Sequence, residues 1–182
     1  MAIHSISLEP LQRSEFAPFG EVIDLNADWF AINQGTTRRY HRLGGVQLLG
    51  QGGQGVISLA VAQRAAQPIA VRMLERHPLG SQAWIPRGLS PFIVVVAPGN
   101  SEGYPDESGL RAFYARADQG VNYYAGVWHH PLLCLVEGGQ FLIVDRDGPG
   151  PNCDEVPLSI TRWLNLDLNF DTLEKELQEG ER

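Results

Sequence analysis

Two short segments of the sequence combine residue types that can transfer protons or bind a metal. The first is Glu75-Arg-His-Pro-Leu-Gly-Ser-Gln82. If the residues before the proline form a strand, alternate side chains share one face, and Glu75 and His77 follow two apolar residues on that face. This pattern predicts the interior of a barrel that becomes polar near its mouth. The side chains on this face are Val71, Met73, Glu75 and His77.

Gln82 follows His77 across a Pro-Leu-Gly-Ser turn, so the next strand can return its side chain beside the imidazole. Glu, His and Gln together can bind a divalent metal or hold a polar substrate, and Gln is the weakest ligand of the three. Arg76 takes the opposite face of the strand and is not expected to touch an interior ligand. A histidine that only ends a strand before a turn is the alternative for His77.

The second segment, Gly126-Val-Trp-His-His-Pro131, contains two adjacent histidines. On a strand, only one of two adjacent side chains faces inward. Gly126 permits a tight approach before the strand, and the aromatic Trp128 suits a packed face. We therefore assign His129 to the interior and His130 to the opposite face. The alternative is a pair of surface histidines in a loop.

A third polar segment, Asn33-Gln-Gly-Thr-Thr-Arg-Arg-Tyr-His41, combines hydroxyls, two guanidiniums, a phenol and an imidazole without an apolar core. Such density suits a lip that binds a carboxylate. Arg39 and His41 would share one face and Arg38 and Tyr40 the other, so only one arginine should clamp a given ligand. A solvated loop or a dimer contact is the alternative.

Acidic charge and a single lysine exclude two classes of function. The net charge is −7, and binding phosphates needs a cationic face, so we expect no nucleic-acid partner. Lys175 is the only lysine and lies between Glu174 and Glu176. A Schiff-base mechanism needs a desolvated lysine in a pocket. This lysine, with a carboxylate on either side, does not fit that requirement.

Neither the first residues nor any apolar run fits a signal peptide or a membrane span, so we expect no membrane partner and a cytoplasmic location. The two cysteines are too few and too different in context for a disulfide framework. We interpret Cys134, in an apolar run, as a core residue and Cys153, in a loop of Pro, Gly and Asn, as incidental.

Short β-rich runs separated by turn residues must position these side chains. They predict an antiparallel barrel, closed or built of two sheets, in a single domain over residues 1–182. Helical patterns are scarce: we predict a short helix that opens at Ser14 and a peripheral C-terminal helix near 171–179, which begins with an N-cap signature at Asp171. The predicted strands are 3–8, 56–62, 69–74, 83–86, 92–97, 110–114, 132–136 and 141–144.

Taken together, these segments resemble the ureidoglycolate lyase family, also called ureidoglycolate hydrolase, and more distantly the cupin superfamily. The segment around His77 is the most specific part. Against the general cupin pattern, Glu75 stands at the first histidine position, Gln82 stands at the usual glutamate, and Gly126-x-x-His129 matches the second motif. The matching segments are 16–20, 33–35, 39–41, 75–83, 120–122, 128–131 and 152–154.

The resemblance implies a mainly β protein, an antiparallel double-stranded β-barrel of the cupin or jelly-roll type with a few peripheral helices. It also implies a homodimer in allantoin catabolism, a part of purine metabolism. The reaction would split (S)-ureidoglycolate into glyoxylate and urea, which is the work of a carbon–nitrogen lyase of the amidine-lyase type. Two of the four usual cupin ligands are replaced. The resemblance therefore leaves two possibilities for the cofactor: no cofactor, or a weakly bound divalent ion such as nickel.

For this elimination, we hypothesise that His129 or Glu75 takes the hydroxyl proton and that His77 donates to or orients the leaving nitrogen. Arg39 is predicted to grip the substrate carboxylate. The remaining predicted substrate-binding residues are Tyr40 and Gln82, and the candidate metal ligands are His77, Gln82 and His129.

Two other functions remain open at this point. An amidohydrolase would act on the same substrate and release ammonia and carbon dioxide, but it would normally need a complete metal site to activate water. A non-catalytic, cupin-like sensor would bind a small carboxylate such as glyoxylate without turning it over. Product analysis separates all three.

Overall fold

The structure, a computed structural model, describes residues 4–164 and residue 166. Two large sheets form the framework of the described structure. The first sheet contains β1 (Leu8–Pro10), β6 (Ile69–Arg76), β8 (Phe92–Ala97), β9 (Arg111–Ala115), β11 (Trp128–His129), β12 (Leu133–Cys134) and β14 (Asp154–Leu164). Its strand order is β1-β9-β8-β11-β6-β14, and β12 pairs with β8. All of its pairs are antiparallel except β1 with β9.

The second sheet is antiparallel throughout. It contains β2 (Gly20–Ile23), β5 (Gln54–Ala62), β7 (Gln82–Arg87), β10 (Gly120–Tyr123) and β13 (Gly139–Asp147). The strand order is β2-β10-β7-β13-β5, so β5 is an edge strand.

A separate hairpin and a few short helical turns complete the described structure. The hairpin consists of β3 (Trp29–Ile32) and β4 (Thr37–Tyr40), which pair only with each other. Helix α1 spans Arg13–Phe16, and 3-10 turns span Asn33–Gly35 and Glu107–Gly109. Among the described residues, no helix has the length and apolar character needed to cross a membrane.

The two sheets face each other across an apolar core that draws on both. Strand β8 shows how the packing works, because its alternate residues enter two different clusters. Phe92, Val94 and Val96 point inward and pack with residues of the second sheet, whereas the residues between them pack on the outer face of the first sheet. The inner cluster includes Phe92, Val94, Val96, Phe113, Val121, Tyr123, Cys134 and Phe141. This double-sheet architecture confirms the predicted fold class.

All of the predicted strands overlap observed ones. The overlap is smallest for strand 3–8, because among its described residues only Leu8 lies in β1. Helix α1 begins at Arg13, one residue before the predicted start at Ser14. The helix predicted near 171–179 lies outside the described residues. Strand β11 lies in the segment around His129 that was treated as a strand. The strands that the sequence did not predict are β2, β3, β4, β10 and β14.

One predicted face is wrong. Val71 was expected beside Glu75, but it is buried in the outer cluster together with Leu74. The reason lies in the neighbouring strand, because β14 changes register between the residues that pair with Val71 and Met73. Simple alternation therefore holds only from Leu74 onward.

The barrel has a polar end where strands of both sheets meet. In the first sheet, Glu75 of β6 lies directly opposite His129 of β11. In the second sheet, Gln82 of β7 lies directly opposite Tyr123 of β10. The rings of Tyr123 and His129 stack, with centroids 4.2 Å apart and an interplanar angle of 11°. The two sheets thus enclose this end from opposite sides.

Candidate active site

The structure brings Glu75, His77 and His129 together at the polar end of the barrel. One potential ligand atom of each side chain lies within 4.8 Å of the corresponding atoms of the other two. The two imidazole rings have centroids 5.3 Å apart. Residues from two separate segments of the sequence therefore form one cluster.

His129 points inward because its neighbour Trp128 packs outward. Trp128 is buried in the outer cluster, and its indole N–H donates to the carbonyl oxygen of Gly103 at 3.3 Å. Strand alternation then turns His129, which is only 2% exposed, toward the interior. The imidazole of His130, in contrast, is hydrogen-bonded through Nδ1 to the carbonyl oxygen of Pro131 at 2.8 Å.

Both imidazoles of the cluster present an unpaired nitrogen. Nδ1 of His129 donates to the carbonyl oxygen of Val127 at 2.9 Å, and Nδ1 of His77 donates to that of Asn152 at 2.7 Å. A carbonyl oxygen can only accept, so each neutral ring carries its proton on Nδ1. Both Nε2 atoms are buried without a hydrogen-bond partner among the described residues. Two lone pairs are therefore available to a ligand.

Burial disfavours the charged forms of Glu75 and His129. It raises the pKa of the Glu75 carboxyl, an effect that His77 opposes and Glu155 strengthens. Burial also lowers the pKa of His129 to about 3. The distance of 3.6 Å between Glu75 Oε1 and His129 Nε2 is thus a contact with a neutral imidazole and not an ion pair. Perturbed groups enclosed in one place are typical of functional sites.

Three residues that sequence reasoning missed or dismissed also lie here. Tyr123 stacks on His129, and burial, together with the nearby Glu75 carboxylate, raises the pKa of its phenol. The backbone carbonyl oxygen of Asn152 accepts a hydrogen bond from Nδ1 of His77. The thiol of Cys153, interpreted above as incidental, lies within 4.8 Å of carboxylate oxygens of Glu75 and Glu155. Asn152 and Cys153 lie in segment 152–154, which resembles the family, and this resemblance could have pointed to them. No motif in the sequence pointed to Tyr123.

Gln82 reaches the barrel interior but is already engaged. Its Oε1 accepts a hydrogen bond from the indole N–H of Trp84 at 2.8 Å. Because this oxygen is also the atom that would bind a metal, the contact favours a role for Gln82 through its amide N–H groups. Cys134 is buried in the inner cluster, as predicted.

Arg39 and Tyr40 are not brought to this cluster. They lie in the hairpin, where Arg39 is opposite Phe30 and Tyr40 is opposite Trp29. The predicted faces agree with the contacts, because the ring of His41 meets Phe30 on one side and the guanidinium of Arg38 lies over Trp29 on the other. Within the described residues, no hydrogen bond, ion pair or ring contact joins Arg39 or Tyr40 to the cluster.

The donor set of the cluster fits a divalent metal ion. Two neutral imidazole nitrogens with free lone pairs and one carboxylate are ligands that transition metals accept. Each imidazole also donates its other N–H to a backbone carbonyl, as metal-binding histidines usually do. The residues that would hold the ion are Glu75, His77 and His129.

Known proteins are similar to this chain in sequence and, more distantly, in structure. A family model described as ureidoglycolate lyase matches residues 3–164. A ureidoglycolate lyase from Azotobacter vinelandii is 50% identical over 151 residues, which cover 82% of this chain and 90% of that protein. One from Stutzerimonas stutzeri is 47% identical over 166 residues, which cover 91% and 96%. The solved structure of ChmJ, a 3'-monoepimerase from Streptomyces bikiniensis, has a TM-score of 0.46 at 13% identity, covering 81% of this chain and 72% of that one.

Proposed function

The chain belongs to the ureidoglycolate lyase family, and we propose that it splits (S)-ureidoglycolate into glyoxylate and urea as a step of allantoin degradation. The observation that carries this proposal is the cluster at the barrel end, where a partly buried carboxylate lies beside two imidazole nitrogens with free lone pairs. Such a cluster can take a proton from a small polar substrate in a place screened from bulk water.

The first requirement of the reaction is a base for the hydroxyl proton. Of the two candidates, Glu75 is the better base, because burial raises the pKa of its carboxyl and lowers the pKa of His129 to about 3. Once the hydroxyl proton is taken, the carbon–nitrogen bond breaks, the glyoxylate carbonyl forms, and the electron pair stays on the urea nitrogen. The Nε2 atoms of His77 and His129 accept hydrogen bonds from the substrate and orient it.

The second requirement is a proton for the leaving nitrogen. Nδ1 of each imidazole donates to a backbone carbonyl oxygen, so Nε2 of a neutral ring is an acceptor and has no proton to donate. Tyr123 carries a phenol proton, stacks on His129 and lies close enough to Glu75 to be affected by its charge. We assign proton donation to Tyr123, and the proton that Glu75 has taken restores the phenol after each turnover. Of the two roles predicted for His77, orientation then remains.

A divalent ion held by Glu75, His77 and His129 would polarise the substrate hydroxyl and ease the loss of its proton. The need for such an ion, and its identity as nickel, remain predictions. Assaying chelated and metal-reconstituted protein side by side tests them. Equal rates would exclude an essential ion.

We propose further that the protein acts as a homodimer. Edge strand β5 exposes Ile57, Leu59 and Val61 at 73%, 62% and 74%, and the hairpin exposes Trp29 and Phe30 at 48% each. Exposed apolar side chains beside an unpaired strand edge favour association with another chain. The proposal that Arg39 grips the substrate carboxylate requires the hairpin to approach a pocket, either its own or that of the second copy. The cytoplasmic location stays a prediction from the sequence.

Product analysis of the purified protein with (S)-ureidoglycolate tests the proposed reaction. We expect glyoxylate and urea in equal amounts and no ammonia. Ammonia and carbon dioxide in place of urea would identify an amidohydrolase. Saturable binding of glyoxylate without any turnover of ureidoglycolate would identify a sensor.

A further inference from the structure

We propose that Asn152 is a positioning residue that sets which ring nitrogen of His77 carries the proton. Two contacts join Asn152 to the turn after β6. Its backbone carbonyl accepts the Nδ1 proton of His77 at 2.7 Å, and its side-chain Oδ1 accepts the backbone N–H of Leu79, also at 2.7 Å. One residue thus holds the ring and the turn that carries it.

The side-chain contact is what places the backbone carbonyl. Asn152 lies in a loop between β13 and β14, without regular pairing of its own. The loop is held at Pro149, whose carbonyl oxygen accepts from Arg146 at 2.9 Å, and at Asp154, whose carboxylate accepts from Arg76 at 2.8 Å. Between these two points, the bond from Leu79 to Asn152 Oδ1 fixes the loop against the turn after β6.

The consequence for His77 follows from imidazole chemistry. The hydrogen bond made by one ring nitrogen decides which tautomer is present, and therefore what the other nitrogen can do. Because Nδ1 of His77 donates a hydrogen bond to the carbonyl oxygen of Asn152, Nε2 of the same ring presents a lone pair. This Nε2 atom is buried without a hydrogen-bond partner among the described residues. Nε2 needs a lone pair both to orient a substrate and to bind a metal. The group that accepts the hydrogen bond from the other ring nitrogen therefore strongly affects activity.

The tautomer of His77 can be measured without any assay of activity. In protein labelled with ¹⁵N-histidine, the nitrogen shifts of His77, assigned by comparison with His77→Asn, report which nitrogen is protonated. We expect Nδ1–H in the wild type, a mixture or Nε2–H in Asn152→Ala, and Nδ1–H again in Asn152→Asp, which keeps an acceptor oxygen at the same place. A wild-type spectrum with Nε2–H, or an Asn152→Ala spectrum identical to the wild type, would overturn the proposal.

The kinetic effect rests on the proposed lyase function. Asn152→Ala should lower kcat by about 10-fold to 100-fold, with a smaller change in KM, and Asn152→Asp should recover most of the loss. The matched control is Asn100→Ala, because Asn100 Oδ1 likewise accepts backbone N–H groups, those of Glu102 and Tyr104, in an exposed turn. An equal loss of kcat in this control would show general destabilisation and overturn the specific role. If the wild type does not turn over ureidoglycolate, the proposed function fails, and the ¹⁵N measurement still decides the role of Asn152.

Discussion

The barrel end and the hairpin are both rich in polar residues, yet they lie in opposite environments. At the barrel end, His77 and His129 have buried ring nitrogens without partners. In the hairpin, Arg39 is exposed to solvent, and so is His41 directly after it. The barrel end is enclosed by strands of both large sheets, whereas the hairpin strands pair only with each other. Polar groups acquire perturbed chemistry in this protein where two packed surfaces enclose them, as at the barrel end.

The largest effect should come from the carboxylate at the barrel end. Glu75→Gln keeps the shape of the side chain but removes the base, so we expect kcat to fall by about 10²-fold to 10⁴-fold in a glyoxylate assay. Glu102→Gln is the matched control, because Glu102 is an exposed carboxylate in a turn, and it should keep wild-type kcat. Full activity of Glu75→Gln would contradict the proposal that the catalytic base lies at the barrel end.

Tyr123→Phe tests the proton donor at the same place. The variant keeps the aromatic ring stacked on His129 and loses only the hydroxyl, so we expect a loss in kcat of about 10²-fold with little change in thermal stability. The neighbouring Tyr124→Phe should keep wild-type kcat. Unchanged turnover in Tyr123→Phe would return the donor role to His77.

The pH dependence of stability should also separate the two regions. The pKa of His129 is about 3 in the folded protein against a reference of 6.5, so protonation favours the unfolded chain. The stabilising contribution is complete above pH 6.5 and is lost as the pH falls toward 3. In urea titrations, we expect wild-type unfolding free energy to fall by up to about 1.4 kcal/mol per pH unit in this window relative to His129→Phe. Phe30→Leu, a hairpin substitution that changes no titratable group, should keep the wild-type slope.

The smallest effect should come from the hairpin. Since Arg39 is exposed, an ion pair between its guanidinium and the substrate carboxylate is worth little, and Arg39→Ala should raise KM up to about fivefold with unchanged kcat. Arg38→Ala, on the other face of the hairpin, should have no effect. A loss as large as that of Glu75→Gln would mean that the hairpin closes over a pocket during catalysis.

Local sequence patterns correctly predicted which way several side chains point. Alternation along a strand is a property of neighbouring residues, so it correctly separated Trp128 from His129 without knowledge of the fold. The same reasoning failed at Val71, because the register change lies in β14, a strand that is remote in sequence and was not predicted. Strand β14 contains Pro157 and polar residues along its length, and it therefore lacks the apolar run that marked the other long strands.

The sequence by itself determined the mainly β architecture, the family resemblance and the residue types of the site. Turn residues, the alternation of side chains along a strand and short motifs all involve residues that are close together in the sequence. Only the tertiary structure decided that Glu75 lies opposite His129, that Tyr123 stacks on the same imidazole and that the carbonyl oxygen of Asn152 accepts a hydrogen bond from His77. It also left Arg39 outside the cluster. These outcomes depend on pairing and packing between segments far apart in the chain, and no local pattern contains that information.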